Sequence, residues 1–143
     1  MNTVVDDLDM AVNGVLETLR GDVRITEFCV DNVVNYISPG HKYGGPMIRV
    51  FVPIGEDRAR RFPDNQYIIL DPIMTVECSC PYSMDQSTVV AMASLAFELI
   101  NPGFRRGDKH VTFLNTRVGV AELTKGDEGN RWRLTQKWNV RVT

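Results

Sequence analysis

The sequence has no excess of positive charge: 16 Lys and Arg stand against 18 Asp and Glu, a net charge of −2. Global charge therefore gives no reason to expect nucleic acid or an anionic membrane as the main partner. Histidine is scarce. His41 lies in a glycine-rich loop and His110 at a strand start, neither with a sequence neighbour at metal-ligand spacing, whereas a zinc or iron site needs several converging ligands. Cys29, Cys78 and Cys80 are an odd number with no zinc-type pairing, which suits a chain made in a reducing cytoplasm. Apolar runs fall far below the ~18 residues of a membrane span. The opening MNTVVDDLDMAV carries acids where a signal or transit peptide would carry bases, so neither is expected.

Catalytic spacing is missing too. There is no G-x-S-x-G elbow, and GHKYGG lacks both the spacing of a phosphate-binding loop and a helix directly after it. The cysteines sit in extended segments among Val, Glu and Ser, where nothing local would lower a thiol pKa. No catalytic, cofactor-binding or metal-binding residue is expected.

What is present is an ordinary globular composition, 43% apolar and 24% charged over 143 residues. It predicts one domain spanning residues 1–143, burying roughly 70% of its unfolded surface in a single core. The first twenty residues read as a helix. Val5, Leu8, Val12, Val15, Leu16 and Leu19 form its apolar stripe, and Gly21 follows the last of them. Residues 23–38 fit a helical turn or a strand equally well. MIRVFVP alternates as a strand, and GEDRARRFPDNQ after it is the most irregular stretch. QYIILDPIMTVECSC reads as one strand or two collinear ones, with Cys78 and Cys80 pointing to one face as core thiols and Pro72 at an edge or bulge. Residues 84–101 are a second helix, with Ser83 and Gln86 matching a capping box and Pro102-Gly103 ending it. The last third is a long hairpin, 110–123 and 131–142 around KGDEGN. In its second strand Trp132, Leu134, Trp138, Val140 and Val142 face one way. Arg131, Arg133, Lys137 and Arg141 face the other, as a basic row.

Two basic features invite a function. Arg58, Arg60 and Arg61 with Phe62 lie in the irregular excursion, which is expected to be mobile until assembly orders it. Such a segment suits phosphates, bases or an acidic protein surface, or is simply a solvated loop. The basic row of the last strand is either the solvent side of a sheet or one half of a head-to-tail contact. Its opposite would be the acidic first helix, with Asp6, Asp7, Asp9 and Glu17.

The order of elements, an acidic helix, PMIRVFVP, the charged excursion, IILDPIMTVEC, the helix in SMDQSTVVAMASLAFELIN and the hairpin ending RWRLTQKWNVRVT, resembles the tail-terminator (tail-completion) proteins of long-tailed bacteriophages. The resemblance covers nearly the whole chain and is one of pattern and length, so no functional residue is carried over. It implies an α+β fold: a mixed, mostly antiparallel sheet with two helices on one face and a long C-terminal β-hairpin. It further implies a homo-oligomer, a hexameric ring that stops tail-tube growth and meets the tail-tube protein on one side and the head-side connector on the other. DNA passing through such a ring would make non-specific contacts. The chain would then be a virion component of the head–tail junction, made in the bacterial host cytoplasm. Rival readings are another head–tail connector, a small nucleic-acid-binding module using the arginines, and an enzyme whose site is assembled from distant residues.

Overall fold

The computed structural model describes residues 4–35, 45–52, 59–61, 67–69, 73–126 and 129–143. Helix α1 (Val4–Gly21) opens the chain, and Leu8, Ala11, Val12, Val15, Leu16 and Leu19 are its buried stripe. Arg20 near its end donates through Nε and Nη2 to the Val33 carbonyl, at 2.9 and 2.7 Å, tying the helix to the segment that follows.

The ambiguous stretch resolves into both of its possibilities. Helix α2 (Val23–Cys29) buries Ile25 and Cys29, and strand β1 (Val33–Val34) follows directly. Asp22 caps α2 by accepting from the Arg24 N–H at 2.9 Å, and its hydrogen bonds to the Arg24 side chain hold its carboxyl below the usual range. Three helices are therefore present among the described residues where two were expected.

Strand β2 (Met47–Phe51) pairs in parallel with β1, and every other described pairing is antiparallel. The excursion is not wholly irregular. β3 (Ala59–Arg61) pairs with β4 (Tyr67–Ile69) as a two-stranded ladder apart from the main sheet. The long apolar run is accordingly two strands in different sheets, β4 and then β5 (Ile73–Pro81), and Pro72 between them lies outside the described residues.

Helix α3 (Gln86–Ile100) buries Val89, Met92, Ala93, Ala96 and Ile100. Its cap is Asp85 rather than Ser83: the carboxylate accepts from the Ser87 N–H at 2.9 Å and is held below its usual pKa by that bond. A carboxylate facing the positive end of the helix is the better acceptor there. Gly103, at φ +71°, then turns the chain into β6 (Phe104–Arg106), a strand the sequence did not announce. Gly14 of α1 meets the Phe104 ring so closely that a Cβ there would collide with it, so the helix sits tight against this edge.

The terminal hairpin is as expected, with its first arm in two pieces. β7 (Lys109–Val118) and β8 (Glu122–Gly126) lie end to end along β9 (Gly129–Val142), whose other side pairs with β5. The sheet order is β1-β2-β5-β9-β7-β6, with β8 beside β9. Met74, Val76, Cys78 and Cys80 stand opposite Trp138, Gln136, Leu134 and Trp132, and this face meets the helices in one core. The fold is thus α+β, a mixed and mostly antiparallel sheet with its helices on one face and a long C-terminal hairpin.

Candidate assembly surfaces

β9 alternates as expected, but its second face is not a uniform basic row. Arg131 is buried, 2% exposed, and donates through Nη2 to the Gly45 carbonyl at 2.7 Å and to Ser79 Oγ at 3.1 Å. The reason is its register. Arg131 stands between Pro81 of β5 and Thr124 of β8, so a strand flanks it on both sides. Alternation within one strand cannot report what covers it from its neighbours. Arg133 is half-buried in the same way, bonded through Nη1 to Glu77 at 2.7 Å and through Nε to Thr124 Oγ1 at 2.6 Å. Lys137, half-buried, and Arg141, exposed, make no ion pair among the described residues.

The acids of α1 divide similarly. Glu17 receives both oxygens' worth of contact from Arg106 Nη2, at 2.8 Å each, and Asp7 pairs with Lys109 at 3.6 Å. These contacts fasten α1 to the β6–β7 edge. Partly exposed pairs of this kind stabilise by about 0.2–1 kcal/mol each. Asp9 remains exposed without an ion pair among the described residues, and the side chain of Asp6 lies outside them. Among the described residues no ion pair joins Asp7, Asp9 or Glu17 to Lys137 or Arg141 within one chain. In the excursion, Arg60 and Arg61 take places in β3 opposite Ile68 and Tyr67. Arg58 and Phe62 lie outside the described residues, as do the Arg60 and Arg61 side chains, and the expected mobility of this segment likewise falls there.

Two features escaped sequence reasoning. First, β7 gives way to β8 at Gly119, whose N–H donates to the Thr135 carbonyl at 2.8 Å, and a concave pocket opens beside the break. Arg117, Glu122, Arg133, Thr135 and Lys137 line it, three cations to one carboxylate. A register shift between Asn115 and Arg117 is what places Arg117 opposite Lys137. Second, Leu114, Val118, Val120 and Leu123 are exposed along this edge. The signal available in the sequence was VGVAE, where Gly119 interrupts the alternation of an otherwise regular strand.

The cysteines carry no visible chemistry. Cys29, Cys78 and Cys80 are all buried, Cys78 and Cys80 on one face as expected, and burial pushes the Cys29 thiol up to about 12 and the other two upward. Iodoacetamide at pH 8 is therefore expected to leave the folded protein unmodified and to label all three thiols after unfolding, read by intact mass. Modification of the native protein at a comparable rate would contradict this burial. Among the described residues no His, Cys, Asp and Glu group could hold a metal, and no helix is long and apolar enough to cross a membrane.

No family model matches the chain, and no curated protein matches it. Its fold is similar to that of a chain in the solved virion of a native gene transfer agent particle, at 13% identity and a TM-score of 0.56, covering 92% of this chain and 96% of that one. A second solved chain, also 13% identical, covers 93% of this chain and 95% of its own at a TM-score of 0.46, too low to bear on function. At such identities the likeness is one of fold.

Proposed function

We propose that the protein is a structural subunit of a phage-type particle and, within that class, a tail terminator: a homo-oligomeric ring, six-fold by resemblance, that caps the tail tube and joins it to the head-side connector. The observation that carries this reading is the shared fold along 92% of the chain with a component of a gene transfer agent virion. The order of elements supports it independently, because it already resembles the tail-terminator family without reference to any structure. The location that follows is the virion, at the head–tail junction.

Each proposed role falls on particular residues. Asp9 of α1 and Lys137 and Arg141 of β9 are the charges left for contacts with the tube, the connector or a neighbouring subunit, since Asp7, Glu17 and Arg133 have ion-pair partners in their own chain and Arg131 is buried. Asp6 joins Asp9 on the acidic side. Arg58, Arg60, Arg61 and Phe62 are assigned to the tube, to a neighbouring subunit or to passing DNA, through the bidentate and phosphate contacts that guanidinium groups make.

The test is genetic. Deleting the gene from a particle-producing genome is expected to leave heads unjoined to tails and tubes of uncontrolled length, seen by electron microscopy. Supplying the chain in trans should restore joined particles. Joined particles with normal tails in the deletion would overturn the reading. A salt-dependent shift of DNA by the purified chain, together with normal particles, would favour the nucleic-acid-binding module.

A further inference from the structure

The two edges of the main sheet differ in charge and share an exposed apolar character. At the β1 edge, Val23 and Val30 are 68% and 70% exposed. With Glu27 they fall at spacing i, i+4, i+7, on the side of α2 opposite its buried Ile25 and Cys29. Glu27 and the adjoining Asp31 are exposed acids without an ion pair among the described residues. Of the two nearby cations, Arg24 is engaged by Asp22 and Glu98, and Arg20 spends its Nε and Nη2 donors on the Val33 carbonyl.

The opposite edge is made by β8 and the part of β7 beyond β6, which pairs only with Lys109, His110 and Val111. From Thr112 onward no described strand lies outside β7, and none lies outside β8. Such an edge presents unpaired backbone N–H and C=O groups, which natural proteins normally shield. Here it carries Leu114, Val118, Val120 and Leu123, 46–72% exposed, with Arg117 and Lys125 as exposed cations and Glu122 as the one exposed acid of β8.

Val30 adds an observation of its own. It is the C-cap of α2, donating its N–H to the Thr26 carbonyl at 2.9 Å, and at φ +50° it presents a β-branched side chain that is 70% exposed.

We infer that these edges are the two halves of one contact: the acidic, valine-bearing α2–β1 edge of one copy docks on the basic, aliphatic β7–β8 edge of the next. The inference rests on the ring reading and supplies its interface. Charges of opposite sign select the pairing, and the aliphatic groups supply the buried area. Because the patches lie on opposite edges of one sheet, they cannot meet within a chain. The contact is heterologous, the type that closes into rings.

The experiment uses the full chain with Val30→Asp or Val120→Asp, each at an exposed position and checked for an unchanged circular-dichroism spectrum and melting temperature. If either change disturbs the monomer, Val23→Asp and Leu123→Asp replace them. By mass photometry, alone and with tail-tube protein, the parent should form rings, and each variant should associate at least tenfold more weakly. Mixing the two variants should give a one-to-one dimer and nothing larger, since each retains one intact edge and the two intact edges are complementary. A parent ring that survives both changes, or a mixture that stays monomeric, overturns the edge contact while leaving the tail-terminator reading in place. A parent that is monomeric under both conditions overturns both.

Discussion

Replacing Trp138 by alanine is expected to destabilise the fold by about 3–5 kcal/mol, the range for removing a large buried aromatic side chain. Trp138 is fully buried on β9, with its ring centroid 4.9 Å from that of Phe97 on α3 and 6.5 Å from that of Phe113 on β7. It therefore joins the helical layer to two strands of the sheet. Its Nε1–H donates to Gln136 Oε1 at 3.3 Å, and Gln136, also buried, donates to the Ala93 carbonyl at 2.7 Å. Alanine would leave a cavity and also strand the Gln136 oxygen without its donor. Urea unfolding measures the loss. A shift of less than about 1 kcal/mol, the size typical of an average substitution, would mean that Trp138 is not at the centre of the core.

Gly103→Ala is the second large effect. Gly103 stands at φ +71° between α3 and β6, and a Cβ there would collide with the Val111 carbonyl oxygen. The left-handed conformation costs about 1–2 kcal/mol and the collision about 1–3 kcal/mol, so a loss of about 2–5 kcal/mol is expected. Gly107 provides the control. Its φ is +64°, but a Cβ would meet nothing within 4 Å. Gly107→Ala should show the conformational cost alone, about 1–2 kcal/mol. Equal effects at the two positions would show that the close approach to β7 contributes nothing.

These two glycines also show where sequence reasoning stopped. Leu8, Val12, Val15 and Leu19 announced α1, and Val89, Met92, Ala93 and Ala96 announced α3, because long amphipathic stripes give a strong periodic signal. The hairpin was legible because Trp132 to Val142 alternate over a strand of 14 residues. β6 was not, since its three residues between Gly103 and Gly107 are too short to show any period. α2 and β1 share one short valine-rich stretch, in which about two turns of helix and two residues of strand are each too short to show their own period.

The surfaces were legible as composition and not as arrangement. The acidic helix and the arginine-bearing strand were evident, but Glu17 meets Arg106 across 89 positions and Arg133 meets Glu77 across 56, separations that local spacing cannot announce. Which charges are left for a partner depends on those long-range pairings. The exposed edges were hidden for a related reason: an aliphatic residue in a strand reads as core until the sheet order shows that no neighbour lies beyond it.

The proposed tail-terminator role requires this chain to build a ring on a phage-type tail tube. The most direct test is electron microscopy of the purified chain incubated with tail-tube protein from the same particle-producing genome. Class averages with six-fold symmetry and rings seated at one end of each tube are expected. Tubes with bare ends, beside a chain that remains monomeric at every protein ratio, would contradict it.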